Sequence, residues 1–208
     1  MLLRVNPTRM ELTRLKKQLV TARRGHKLLK DKQDELIKKF IDMVKKNRQL
    51  REEVERELES AFKSFTMARS QMPREVVEES LMVPAARVNI NVSRTNIMSV
   101  NVPKIEISRE EGNNIYSYGF AATSGELDSA ITILSGILPK MLKLTEIEKA
   151  CQLMADEIEK TRRRVNALEY VMIPALEETI KYITMKLDEN ERGNITRLMK
   201  IKEMVMNG

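Results

Sequence analysis

The side chains able to do chemistry in this 208-residue chain are few and widely spaced. It has one histidine, His26, and one cysteine, Cys151. A lone imidazole on a basic helix cannot assemble a site by itself, because general acid–base or metal chemistry needs a second group within reach. His26 falls on an apolar helical seam, so its expected role is that of a hydrogen-bonded seam residue. Cys151 has no partner for an intrachain disulfide, and its place in a helical apolar pattern predicts a buried, reduced thiol. The paired acids Glu52-Glu53 and Glu177-Glu178 read as solvated helix faces. No glycine-rich phosphate loop, metal-spaced Cys or His set, or nucleophile with a base partner is present. The sequence therefore predicts no catalytic residue, no cofactor-binding residue and no metal ligand.

What remains is charge, and its placement is one-sided. The net charge is +7. Up to Lys30 the basic residues are Arg4, Arg9, Arg14, Lys16, Lys17, Arg23, Arg24, Lys27 and Lys30, opposed only by Glu11. So one-sided a run repels itself on a helix and favours an anionic counterpart, nucleic acid, anionic lipid or an acidic protein surface, over the alternative of a merely solvated helix face. A basic arm for nucleic acid would bind with strong salt dependence, but the run lacks the interleaved aromatics that stack on single strands. Arg162-Arg163-Arg164 is a second, smaller basic group, readable as a surface contact or a solvated face.

The element that carries the basic run is a helix. Leu12, Leu15, Leu19, Ala22, His26, Leu29, Gln33, Leu36, Phe40, Met43, Asn47, Leu50 and Val54 are alternately three and four residues apart. A contact face repeating every 3.5 residues stays on one side only by supercoiling around a partner. Polar His26, Gln33 and Asn47 lower stability but help to fix register and partner number. The segment predicts a coiled-coil strand of ~80–90 Å at 1.5 Å per residue. Asn6 is the expected cap and Pro7 the expected first helical residue; the helix is expected to end near Pro73.

A second heptad run closes the chain. Ile147, Cys151, Met154, Ile158, Thr161, Val165, Leu168, Met172 and Ala175 again alternate by fours and threes, and Pro174 is expected to kink this helix or remove a hydrogen bond locally. Between the two runs the period falls to two. Val88, Ile90 and Val92 alternate with asparagines, as do Val100 and Val102, which predicts two short strands joined near Ser93–Asn96. Two strands alone are marginal in water, so the hairpin is expected to lie against another element or another subunit; a partner contact is favoured, with Val88, Ile90, Val92, Val100 and Val102 on the covered face. A loop at Glu110–Asn114 and an aromatic cluster of Tyr116, Tyr118 and Phe120 follow. Capping-box spacings at Thr123/Glu126 and Thr145/Glu148 predict two further helix starts.

The fold expected is mainly α: a long antiparallel intrachain coiled coil of N- and C-terminal helices, with a short β-hairpin and a shorter helix in the middle segment. The expected division is an N-terminal coiled-coil helix over 1–72, a middle segment over 73–123 with the hairpin near 87–103, a short helix over 124–143 and a C-terminal coiled-coil helix over 144–208. Aromatic content of 4%, charged content of 32% and scarce Gly and Pro agree with long helices rather than a compact globule. The fourteen methionines are expected to fill irregular packing gaps. No signal peptide and no stretch of ~20 apolar residues is present, which predicts a cytoplasmic chain without direct membrane insertion.

At this point the residues resemble a known family. Asn6-Pro7-Thr8-Arg9, Glu11-Leu12, Leu15 through Leu19 and Ala22 through Lys32 are similar to the D subunit of the V-type and A-type rotary ATPases. Arg162 through Glu169 with Ile173-Pro174 also look like that family. The resemblance implies a non-catalytic rotor in the central stalk, whose coiled coil enters a hexamer of A and B subunits. It further implies contacts with the F subunit and with the funnel-shaped subunit on the membrane ring, at the membrane periphery. ATP hydrolysis or synthesis would thereby be coupled to hydrogen ion or sodium transport. On this reading Arg4, Arg9, Arg14, Lys16, Lys17, Arg23 and Arg24 form a hexamer-facing tip, and the hairpin contacts a partner. Nucleic acid is not an expected partner. The physical alternative is a prefoldin-like coiled-coil chaperone, which also brackets hairpins with two helices.

Overall fold

The computed structural model describes residues 5–83, 88–109, 116–119 and 123–206. Helix α1 spans Arg9–Gln71 and a short α2 spans Arg74–Leu81. Strands β1 (Val88–Ile97) and β2 (Val100–Arg109) form an antiparallel hairpin. Helix α3 (Gly125–Ala167), a π-helical turn at Leu168–Met172 and α4 (Ile173–Met206) complete the described chain. The long C-terminal helical segment packs against α1, as the heptads predict. Contacts divide the chain into two compact units, Met1–Glu35 with Ile158–Gly208, and Leu36–Glu157.

In the first unit the core is a row. Leu15, Leu176 and Ile183 are buried, with Leu12, Leu19, Ala22, Ile180 and Leu187 packed beside them. Residues at i and i+3 or i+4 share a helix face, so each helix presents one apolar stripe and leaves the rest to water. The start of α1 differs from expectation: Thr8, not Asn6, is the cap. Its Oγ1 accepts the Glu11 N–H at 3.3 Å and its carbonyl accepts the Leu12 N–H at 3.0 Å.

The seam changes phase within this unit. Thr161 and Val165 are buried and Leu168 is half-buried, but Met172 is exposed; Ala175 is buried again, and the apolar row continues at Leu176, Ile180, Ile183 and Leu187. The π-turn supplies the extra residue. Pro174 has no N–H and its ring crowds the carbonyl four residues back, so an unbroken α-helix is disfavoured there. A wider turn, in which the Ile173 N–H donates to the Leu168 carbonyl, accommodates the proline without ending the helix. Helix α4 also continues through Gly193-Asn194.

Two buried clusters of the second unit lie where α1 meets α3. Val54, Ala61 and Ile137 form one, with Leu58 and Ile133 beside them. Ala68, Met72, Val77 and Leu127 form the other, with Phe65, Val76, Tyr118 and Ile131. Helix α3 runs through Pro139, so the expected short helix and terminal helix are one element. Fully buried Ile137 and the ion pairs of Lys140 with Glu53 (3.7 Å) and Glu57 hold the helix across the proline. Thr145, expected to open a new helix, lies inside α3 with its Oγ1 donating to the Met141 carbonyl at 2.9 Å. Ser124 rather than Thr123 caps α3: its Oγ accepts the Glu126 N–H at 3.3 Å. Helix α2, which the periodicity did not reveal, buries Val77 and Ser80, the former within this cluster.

A fully buried seam residue is the point of greatest leverage. Ile183→Ala and Ile137→Ala are each expected to cost about 2–5 kcal/mol, because the packed row cannot collapse around a cavity. Urea denaturation of each variant checks this. Val20→Ala, on the exposed face of α1, is the control expected to change little.

Candidate interaction surfaces

In α1, Leu12, Leu15, Leu19, Ala22, His26, Leu29, Gln33, Leu36, Phe40, Met43, Asn47, Leu50 and Val54 are all buried or half-buried. In α3, Cys151, Met154 and Val165 are buried and Ile158 is half-buried; Leu168 begins the π-turn. His26 Nε2 lies 3.3 Å from Glu169 Oε2, an ion pair when the ring is protonated. Burial pushes the Cys151 thiol up, and a hydrogen bond from the Asn47 side chain opposes that in part. The polar seam positions His26 and Asn47 are thus occupied by local pairs.

The basic run divides in two by its ion pairs. Arg9 pairs with Glu191 at 2.7 Å and Arg23 with Glu177 at 2.6 Å, both across the helix pair, while Arg14 lies 3.5 Å from Glu11. These three cations are partly satisfied by the chain's own carboxylates. Lys16, Lys17 and Arg24 are exposed, and no carboxylate pairs with them among the described residues. Exposed Val20 and Leu28 lie on the same side of α1, at helical spacing from Lys17 and Arg24. The external surface is therefore a mixed stripe of cations and aliphatic side chains, narrower than the whole run. Arg4 lies outside the described residues. Glu177, read as part of a merely solvated pair, is a cross-helix partner; Arg163 of the triple arginine is paired within its own helix to Glu159.

The hairpin departs most from expectation. Its turn is Met98-Ser99, with φ of 52° and 71°, rather than Ser93–Asn96. Two residues of positive φ match the right-handed twist of paired strands. Neither is Gly or Asn. The turn is instead held by Asn96, whose Oδ1 accepts the Ser99 N–H at 3.0 Å and whose Nδ2 donates to Asn101 Oδ1 at 2.9 Å.

The strand register, Ile97↔Val100 through Val88↔Arg109, places Val100 and Val102 on one face with Thr95 and Ile97. Val88, Ile90 and Val92 point to the other face. The expected single covered face of five valines and isoleucines is therefore corrected: the apolar set changes sides halfway along. Val100 (8% exposed) and Val102 (4%) are buried at the turn-proximal end, where Met43, Ile147 and Ala150 line a shared cleft with Ile97 and Val102. Ile90 (49%) and Val92 (64%) face solvent.

Around the end of α1, Tyr116 and Tyr118 meet edge to face with ring centroids 6.0 Å apart. The Tyr118 hydroxyl donates to Asp128 at 2.6 Å, and burial with that carboxylate holds its phenol well above the ordinary range. Ser117 Oγ donates to the Ser80 carbonyl at 3.1 Å. These contacts tie the segment before α3 to α2 and to α3 itself. Phe120 and the expected loop at Glu110–Asn114 lie outside the described residues. Ile195, Leu198, Ile201 and Val205 of α4 are all exposed.

Among the described residues no group of three or more His, Cys, Asp or Glu side chains is placed to hold a metal ion. None of their helices is long and apolar enough to cross a membrane. Helices paired along heptad seams, with a β-hairpin and an exposed basic stripe, define a coiled-coil protein. A family model described as the D subunit of ATP synthase matches residues 11–203, and the chain belongs to that family. The V-type ATP synthase D subunit of Thermoanaerobacter sp. (strain X514) is 77% identical over 207 residues, covering 100% of this chain and 99% of the relative. That of Clostridium botulinum (strain ATCC 19397 / Type A) is 64% identical over 208 residues, covering 99% and 96%.

The buried thiol gives a direct check on the seam. Because burial disfavours the thiolate, Cys151 is expected to alkylate at pH 8 at least about tenfold more slowly in the folded chain than in 8 M urea. Equal rates measured with iodoacetamide would mean that the seam is open at this position.

Proposed function

We propose that the chain is the non-catalytic rotor shaft in the central stalk of a V/A-type rotary ATPase. In this role it couples ATP hydrolysis or synthesis in the A/B hexamer to proton or sodium movement through the membrane ring. Its partners are the A, B and F subunits and the funnel-shaped subunit on the ring, and it lies at the cytoplasmic periphery of the membrane. The observation that carries this reading is full-length membership of the D-subunit family by a chain built on paired helices. Coupling by rotation needs an element that resists bending and twisting, and two helices sharing a packed seam do so better than one. A prefoldin-like chaperone has the same general outline, but family membership speaks for the stalk.

The outward stripe of α1 suits a turning contact. Long-range attraction between cations and an acidic or carbonyl-rich bore changes gradually as the shaft rotates, whereas interlocked apolar knobs would trap it in one position. Arg9, Arg14 and Arg23 serve chiefly to hold the helices and their own carboxylates together. Lys16, Lys17 and Arg24 are the residues we assign to the hexamer. The partner-contacting role of the hairpin falls to its solvent-facing side, that of Val88, Ile90 and Val92, while Val100 and Val102 anchor it to its own unit.

Recovery of the chain from native membranes through an affinity tag, with mass spectrometry of what accompanies it, is the primary test. The A, B and F subunits are expected; unfolded clients and other small coiled-coil chains would instead indicate a chaperone. Replacing Lys16, Lys17 and Arg24 together by Gln is expected to weaken association with the hexamer and reduce torque in single-molecule rotation. Unchanged assembly and torque would show that the stripe does not face the hexamer.

A further inference from the structure

The two edges of the hairpin are finished differently. In a hairpin closed by a two-residue turn, Ile97 and Val100 exchange both ladder bonds, and so do alternate pairs beyond them. The N–H and C=O groups of Asn89, Asn91, Ser93 and Thr95 therefore point inward to β2. Those of Val88, Ile90, Val92, Arg94 and Asn96 point outward. On β2 the outward positions are Asn101, Pro103, Ile105 and Ile107.

The β2 edge is closed to a further strand. Pro103 has no N–H to offer, and the outward N–H of Ile105 donates to Glu146 Oε2 on α3 at 3.1 Å. Lys104, beside them, is paired with Glu106 at 2.8 Å. The β1 edge carries one charged side chain, Arg94 near the turn, and otherwise none of these devices. From Val88 to Ser93 it has no proline, no charged side chain and no bulge, which are the usual means of blunting an exposed strand. Among the described residues the sheet has only these two strands, and every β1 residue from Asn89 to Asn96 is exposed. The same residues that turn their backbone outward, Ile90 and Val92, turn their side chains to the apolar face shared with half-buried Ile105 and Ile107.

Resting on the stalk reading above, we propose that the outer edge of β1 receives an extended strand from another component of the rotary complex. That strand pairs with Val88, Ile90, Val92 and Arg94 and covers Ile90 and Val92. A strand fits where a helix does not, because only extended backbone satisfies outward donors and acceptors that recur at every second residue. Side-chain specificity is then a matter of aliphatic residues on alternate positions of the incoming segment, facing Ile90 and Val92.

The test is hydrogen exchange in the complex recovered through a tag on this chain, quenched and read on the released chain at single-residue resolution. In the free chain the amides of Asn91 and Ser93 are expected to be protected by β2, and those of Ile90, Val92 and Arg94 to exchange rapidly. In the complex the latter three are expected to slow by about tenfold or more, as newly formed ladder bonds do. Val92→Pro removes an outward donor that the hairpin ladder does not use, and is expected to lose the covering component. Val92→Ala keeps the donor and is expected to retain most of it.

Unchanged exchange at Ile90, Val92 and Arg94 overturns the proposal. So does equal loss with both variants, which would mean docking by the apolar face alone, and so does protection arising from a second copy of this chain. Absence of rotary ATPase subunits in the recovered complex would instead sink the stalk reading. Flat exchange across 88–94 in a complex that contains those subunits sinks the strand alone.

Discussion

A single apolar stripe on each helix is the constraint from which the rest of this structure follows. A helix with one such stripe has little tertiary support until the stripe meets another, and helical stability in proteins comes mostly from that packing. Here the meeting produces rows rather than a ball-shaped core. Leu15, Leu176 and Ile183 make one row, and Val54, Ala61 and Ile137 another. A row has only two helices to supply its contacts, so flanking groups matter more than in a globule. The Arg9–Glu191 and Arg23–Glu177 pairs flank one, and the Lys140 pairs with Glu53 and Glu57 flank the other. Smaller elements are held by their own buried side chains: α2 through Val77, the hairpin through Val100 and Val102.

Packing along these rows also decides how local backbone preferences are overruled. Proline disfavours helical geometry in the residue before it, yet α3 continues through Pro139 beside a fully buried Ile137. At Pro174 the outcome is different, and the helix opens into a π-turn. Met98 and Ser99 adopt a left-handed conformation that their side chains disfavour, because Asn96 bridges the turn and both strands need a connection of the right twist. In each case the surrounding contacts outweigh the local preference.

The same balance governs what could be read from the sequence. The heptads were legible because a 3.5-residue repeat sustained from Leu12 to Val54 is hard to produce by chance, and the pairing of the two runs followed from it. The family resemblance rested on the N-terminal block. The hairpin was legible as two alternating runs, but its turn was not, since the side chain that stabilises it stands two residues before the turn rather than in it. Nor was the change of face: Val92 and Val102 look alike in the sequence, and only the register sets them on opposite sides. Helix α2 is too short for periodicity to reveal. The division of the basic run was hidden for a different reason, as Glu177 and Glu191 lie more than 150 residues from their arginines. The phase slip was not legible, because Leu168, Met172 and Ala175 continue the alternation of fours and threes and only the exposure of Met172 reveals it.

That slip has a consequence for how the chain can be recombined. Residues on either side of the π-turn belong to different heptad frames, and the turn is the splice that reconciles them. A graft that replaces Leu168–Met172 with an ideal helix of equal length would rotate everything downstream by about 100°, the angle of one residue in a 3.6-residue turn. Leu176 and Ile183 would then leave the seam, and Glu177 and Glu191 would swing away from Arg23 and Arg9. A replacement shorter by one residue would keep the frame. The proline and its wide turn therefore act as a one-residue insertion that the fold has absorbed, and segments can be exchanged across it only if that residue is counted.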